Sequence, residues 1–327
     1  MKVAITGATG HIGGVIVREL LHIGHTVKVL VRGHDNKSLN ELDVEKVQGD
    51  LYDTISLKHL MESCDALIHA AALISIDGGM KGLVHRTNVE GTRHVMDAAK
   101  AAGIKRVIHI SSVHAYAQHP LDEIMHEHRA PAGDDTFAYD RSKRDGQALA
   151  LSYASSDMEV LVVNPTSVVG PFDFKPSKLG QAIINMSTGK LPFVFKGGFD
   201  FCDGRDVAHA IVNALTMGKS GEAYLLGGGW HSLSEFGQIL SEVSNYKNKP
   251  IALPTILGWI GLPFVKILAR ITKSEPLYTN EALVAVSEGN RHINCAKAKT
   301  ELQYSARPLR ESLHDTYQWF SENGYLG

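Results

Sequence analysis

Residues 2–14 read KVAITGATGHIGG. An apolar run ends at Thr6, Gly7, Gly10 and Gly13 follow at intervals of three, and Ile12, Ile16, Leu20 and Ile23 then recur every three or four residues. That pattern is a strand passing through a glycine turn into an amphipathic helix. Glycines so spaced let the backbone turn sharply and approach a pyrophosphate, whose charge then meets the free N–H groups and positive dipole end of the helix. Three glycines also suit a plain strand-to-helix turn, but the strand before them and the helix after them favour the nucleotide cradle.

Further apolar, β-branched runs fall at 27–31, 66–70, 106–110 and 159–163, with helical patterns at 12–23, 56–62, 88–102 and 140–154 between them. Parallel strands need crossover connections, and helices supply them, so the alternation predicts an α/β fold: a doubly wound parallel sheet with helices on both faces. Gly24 and Gly103 stand where helix C-caps are expected. After Gly170-Pro171 the rhythm changes to Gly- and Pro-richer loops, a strand-like AYLLGG at 223–228 and helical segments to the end. The expected division is a nucleotide-binding domain over 1–170, with a return to it near 199–228, and a mainly substrate-binding lobe over 171–327. Substrate is expected in the cleft at the carboxyl edge of the sheet.

Composition narrows the class. The chain has 327 residues, is 44% hydrophobic and carries a net charge of −2, with a pI near 6.8. Without a basic block it offers no long-range attraction to nucleic acid, and small-molecule partners are favoured. Cys64, Cys202 and Cys295 are scattered without CxxC spacing, which argues against a disulfide framework or thiolate zinc and fits the cytoplasm. The first strand begins at Lys2, so no secretion signal is expected. Residues 251–265, IALPTILGWIGLPFV, are uncharged but interrupted by Pro254 and Pro263 and too short to span a bilayer. Buried helices of the substrate lobe are the first reading, and a membrane-surface or substrate-access role is the alternative.

An acid about 20 residues beyond the glycines usually binds a ribose 2′-hydroxyl, whereas an Arg there accommodates a 2′-phosphate. Arg32 ends the second strand with Lys37 close behind, so NADP(H) is favoured over NAD(H), although Asp35 leaves the alternative open. Asp50, in Gly49-Asp50-Leu51, is either an acceptor for the adenine amino group or an ordinary turn or N-cap residue. Tyr139 and Lys143 share a face at i and i+4 of the helical AYDRSKRDGQALALSYA, where an ammonium is expected to lower the phenol's pKa. Ser112 ends RVIHISS at the strand's carboxyl edge, within reach of the same substrate oxygen. Each of these is commonplace alone, but their order behind a nucleotide loop points to proton transfer.

GATGHIGG at 7–14, GDLYD at 49–53, HAAA at 69–72, TNVEGT at 87–92, HISSVHAY at 109–116, Tyr139 with Ser142 and Lys143, and NPTSVVGP at 164–171 together resemble the extended short-chain dehydrogenase/reductases. Within them, NPTSVVGP and the Arg ending the second strand are most similar to the dihydroflavonol-4-reductase and 3β-hydroxysteroid-dehydrogenase-like branch, including hopanoid-associated members. Val169 stands where NDP-sugar epimerases and dehydratases tend to carry Tyr. The resemblance implies hydride transfer between nicotinamide and a carbonyl carbon, with Tyr139 as acid/base, Lys143 on the nicotinamide ribose and Ser112 orienting the carbonyl. It also implies a cofactor lined by Gly7, Thr9, Gly10, His11, Ile12, Gly13, Arg32, Asp50, Leu51, Ala70, Ala71, Ala72, Tyr139, Lys143, Asn164 and Pro165, and a homodimer. An NDP-sugar epimerase or dehydratase is the enzymatic alternative, and an NADP-sensing binding protein the non-enzymatic one.

Other signals are weaker. His126 and His128 flank Glu127 at a conceivable metal site, for which no further ligand can be named. No metal is expected. His114 and His119 are candidate pocket liners. Phe193, Phe195, Phe199 and Phe201 alternate as though on strands, walling either a substrate pocket or the core. Asp206 is read as an N-cap or first-turn acid of DVAHAIVNAL.

Overall fold

A computed structural model describes residues 1–33, 37–75, 78–244, 249–272 and 279–326, with backbone only over 264–272. The chain opens β1 (Lys2–Thr6), α1 (His11–His22), β2 (Thr26–Val31), β3 (Val44–Gln48), α2 (Thr54–Met61) and β4 (Ala66–His69). Next come α3 (Leu83–His85), a wide helical turn over Arg86–Glu90, α4 (Gly91–Ala101), β5 (Arg106–Ile110), α5 (Ala138–Leu151) and β6 (Glu159–Pro165). One seven-stranded parallel sheet results, in the order β10-β6-β5-β4-β1-β2-β3, where β10 is Ala223–Leu226. The Rossmann-type α/β fold is therefore present, with a switch point between β1 and β4 where the connections run to opposite sides.

Strands buried on both faces must be apolar throughout, and these are. Ile5, Ile68, Ile108 and Val163 face α1 and α7 (Gly204–Asn213), while Ala4, Leu67, Val107 and Val160 face the opposite layer of α2 and α4. Edge strand β3 is less apolar than the inner strands, with Val44 and Val47 half-buried and Glu45, Lys46 and Gln48 exposed. Gly24 and Gly103 adopt positive φ at helix ends, as expected.

Beyond β6 the chain forms β7 (Ser167–Val169), α6 (Lys178–Ser187), β8 (Phe193–Phe195) and β9 (Gly198–Asp203) before α7. After β10 follow β11 (Trp230–Ser232), α8 (Leu233–Val243), β12 (Ile251–Leu253), α9 (Thr255–Thr272), α10 (Asn280–Glu288), α11 (Ala296–Glu301) and α12 (Leu309–Glu322). Strands β11-β9-β7 make a small sheet, and β8 pairs in parallel with β12. Ile183, Phe201, Phe236, Leu313 and Phe320 form the core of this region. Asp203 is the N-cap of α7, and Asp206 lies in its first turn, paired with Arg307 at 2.7 Å.

Residues 251–265 depart from the buried-helix reading. Pro263 is accommodated inside α9, and Ile256, Leu257, Trp259 and Ile260 are exposed. Among the described residues no helix is long and apolar enough to cross a membrane.

Candidate active site

The glycine loop is built for close approach. Gly7 has φ +79°, and a Cβ there would lie 2.5 Å from the Ala71 nitrogen and 2.6 Å from the Ala70 carbonyl carbon. At Gly13 a Cβ would lie 2.1 Å from the Gly7 oxygen. Side chains at either position would force the loop, the β4 exit and α1 apart. Gly10 begins α1 without a side-chain cap, and no carboxylate occupies the first turn, so the leading N–H groups and the positive helix end are available to an anion. This cradle at the switch point fits the diphosphate of a dinucleotide.

The other expected cofactor residues divide. Arg32 and Lys37 are exposed just past β2, beside the glycine loop, where Ser38 Oγ donates to the Thr9 carbonyl at 3.4 Å. Asp35 lies outside the described residues. Asp50 makes turn contacts through one carboxylate oxygen, which accepts from Tyr52 N at 2.7 Å and Asp53 N at 3.1 Å, while Asp53 is the N-cap of α2. Leu51 is buried in the core against Gly91, and its carbonyl meets the His94 ring at 3.1 Å. His11 Nε2 meets the Pro171 carbonyl at 3.0 Å, so its ring ties the glycine loop to the Gly170-Pro171 corner. Thr9 and Ala72 are exposed, and Ile12, Ala70 and Ala71 half-buried, along the loop and the β4 exit.

Ser112 opens a short turn after β5, its Oγ accepting from His114 N at 3.2 Å. Tyr139 lies in the first turn of α5, with Lys143 one turn further on. Lys143 is buried, its Nζ donates to the Ile110 carbonyl at 3.1 Å, and burial lowers its pKa to about 8. Burial raises the Tyr139 phenol above its ordinary value, a hydrogen bond with the Ser112 hydroxyl opposes this, and the Asp140 charge adds to it. The expected depression of the phenol by Lys143 is not what this arrangement produces. The ammonium is directed at a backbone carbonyl, and desolvation outweighs the helical proximity.

Buried polar contacts brace this corner. Asn164 Nδ2 donates to the Ser112 carbonyl at 2.8 Å and to Gln147 Oε1 at 2.6 Å, and Gln147 donates to the Tyr116 hydroxyl at 3.2 Å. The buried Asn164 Oδ1 has no hydrogen-bond partner, while Pro165 is buried at the end of β6. Two contributors escaped the sequence reading. Asn88, on the wide turn before α4, accepts from Leu73 N at 2.7 Å and donates to the Leu73 carbonyl and Ser142 Oγ, so it links the β4 exit to α5. Asp140 accepts from His114 Nδ1 at 2.9 Å, and the His114 ring stands edge-on to Tyr139 with centroids 5.6 Å apart. Asn88 lay inside the quoted TNVEGT and Asp140 directly follows Tyr139, but nothing local announces either contact.

Beside these groups opens a cavity of about 290 Å³. Val113, His114, Tyr116, Phe137, Asp140, Phe199 and Asp200 line it, and Val284, Ala285 and Glu288 of α10 complete a wall. Both expected histidines, His114 and His119, line it.

The model of the NAD dependent epimerase/dehydratase family matches residues 3–227. The chain belongs to this family. Across the full length of both chains it is 31% identical to sterol demethylase protein B of Methylococcus capsulatus. A putative dihydroflavonol 4-reductase of Synechocystis is 30% identical, with 98% of this chain and 95% of that protein covered. The crystal structure of gox2253 superposes with a TM-score of 0.85 at 31% identity, covering 100% of this chain and 99% of that one. The protein is thus an NAD(P)-dependent enzyme of the extended short-chain dehydrogenase/reductase type.

Glu127 accepts from Leu225 N at 3.0 Å, so it braces β10 between exposed His126 and His128. No cluster of three or more metal-ligating side chains occurs among the described residues. Of the four phenylalanines only Phe199 lines the cavity; Phe201 is core, Phe195 is half-buried and Phe193 faces outward.

Proposed function

We propose that this chain reduces the carbonyl of a small, moderately apolar aldehyde or ketone, with NADP(H) as its redox partner and Tyr139 as proton donor. The observation that carries the reading is the character of the cavity. Among its described lining residues none is Lys or Arg, whereas Asp135, Asp140, Asp200 and Glu288 are present between apolar walls. A nucleotide-sugar brings a diphosphate that calls for cations, and this lining repels one. A neutral carbonyl compound meets no such penalty, which places reduction ahead of sugar-nucleotide epimerisation or dehydration.

When bound, the nicotinamide supplies the hydride. The cradle of Gly7, Gly10 and Gly13 would hold its diphosphate, and Arg32 with Lys37 would favour a 2′-phosphate on the adenine ribose. Ser112 donates a hydrogen bond to the substrate carbonyl and aligns it. Burial keeps the Tyr139 phenol protonated at neutral pH, so the proton is in place for the oxygen as negative charge develops there. Lys143, still mostly cationic at pH 7 with its pKa near 8, offsets the phenolate that the transfer leaves behind.

The test is a panel of aldehydes and ketones followed by cofactor absorbance. NADPH should be consumed faster than NADH, and Tyr139→Phe should lower turnover by about 10²–10⁴-fold with NADPH affinity retained. Near-normal rates in Tyr139→Phe would remove the proton-donor role. Tightly held, non-exchanging NAD in the purified protein would favour the epimerase or dehydratase reading.

A further inference from the structure

The face built from α9, β8 and β12 gathers several exposed apolar side chains. In α9, Leu262 is buried, and Gly258 lies so close to Leu283 of α10 and the Phe195 ring that a Cβ would come within 3.0 Å of both. These positions, four apart, are the inner face. The outer face carries Ile256 and Ile260, 62% and 61% exposed, beside Leu257 and Trp259. Strand pairing sets Ile251 against Phe193, both exposed as well.

Three lysines flank the strands of this ridge, one of them, Lys249, also within electrostatic reach of Glu242 on α8. Lys190 and Lys196 bracket β8, Lys249 precedes β12, and all three are exposed. Residues 174–199 contain four lysines and no carboxylate, and residues 244–274 contain five lysines and arginines and none. These two segments thus hold nine positive charges in a chain of net −2, leaving −11 on the remainder.

We propose that this face docks reversibly onto an anionic lipid bilayer. Aliphatic side chains and a tryptophan on one helical face, rimmed by lysine, match the interfacial rather than the spanning mode of membrane contact. No described helix is able to cross. Nucleic acid is a poorer occupant, because the ridge offers mainly aliphatic groups instead of stacking platforms. On its other side α9 packs against α10, which walls the cavity, so docking brings the lipid surface one helix away from the proposed substrate site. The docking itself stands independently of the reductase reading.

The experiment is flotation of the purified chain with vesicles of phosphatidylcholine alone or of equal phosphatidylcholine and phosphatidylglycerol. Co-flotation with the anionic vesicles, much weaker on the neutral ones and reduced by salt, is expected. Ile256→Asp with Ile260→Asp, and separately Lys196→Glu with Lys249→Glu, should each weaken binding by more than about tenfold. Anionic vesicles should also shift wild-type tryptophan emission to the blue, a shift missing in Trp259→Phe, which keeps the test independent of how the double variants fold. Failure of the wild type to float with anionic vesicles overturns the proposal. So does a lipid-free homodimer in sedimentation velocity that Ile256→Asp with Ile260→Asp dissolves, since a second copy would then cover the ridge.

Discussion

Lys143 is held charged at neutral pH in a place that disfavours charge. Its pKa near 8 lies below the 10.5 of an unfolded chain, and burial is the cause. The unfolded chain therefore binds this proton more tightly, so the contribution to stability rises with pH between 8 and 10.5 and the full penalty stands below 8. The difference corresponds to about 3 kcal/mol. Lys143→Met removes that penalty but leaves the Ile110 carbonyl without its donor, at a cost of about 1–3 kcal/mol. Urea unfolding at pH 7 should show the variant equal to or up to about 2 kcal/mol more stable than wild type, without the wild-type rise above pH 8, and with carbonyl reduction largely lost. Marked destabilisation at pH 7 would contradict the sign. The spacing of Tyr139 and Lys143 was legible because four residues make about one helical turn. Their protonation was not, since desolvation comes from β5 and the loop after it, far away in the chain.

His69, the last residue of β4, and His109, one before the end of β5, are partners in register with rings 5.2 Å apart. Thr92 Oγ1 donates to the Asn88 carbonyl and thus accepts from His69 Nε2, leaving His69 Nδ1 to accept from Thr6 Oγ1 at 2.6 Å. Burial, then the charge of Lys143, lowers the His69 pKa to about 3, and burial with the charges of His69 and Lys143 lowers that of His109 well below its ordinary value. Unfolding in acid is therefore coupled to proton uptake: stability should fall as pH drops from 6.5 toward 3. His69→Gln, able to keep one donor and one acceptor, should flatten that fall, read as the pH dependence of the urea midpoint; an unchanged slope would mean that His69 takes no part. At this scale the buried strands were easiest to read, because burial on both faces requires unbroken apolar runs. Strand β3 and the outward face of α9 were hardest. A polar, partly exposed edge strand and an apolar helix with one bare face both look like something else until their neighbours are known.

An ion network joins the sheet layer to the C-terminal helix. Asp203, 1% exposed, accepts from Arg205 Nη2 at 2.8 Å, and Arg205 Nη1 reaches Asp315 of α12 at 2.7 Å. Arg307 binds Asp206 beside them. Removing the Arg205 side chain takes the nearest cation from buried Asp203, which keeps the backbone N–H of residue 205 and the Arg307 guanidinium at 3.7 Å, so Arg205→Met should destabilise the protein by about 1–3 kcal/mol, and adding Asp203→Asn should recover part of that loss. Denaturant melts of the single and double variants check both, and a loss near zero would show that the network is incidental. By itself the sequence determined the nucleotide cradle, the parallel sheet and the Tyr139–Lys143 pair, because glycine spacing, strand burial and helical period act over a few neighbouring residues. Tertiary structure alone decided that Asn88 would brace α5, that the cavity beside Tyr139 would be walled by α10 without a cation among its described lining, and that α9 would turn isoleucines outward beside lysines. Each of these depends on which distant segments share a surface, and packing between segments far apart in the chain settles that.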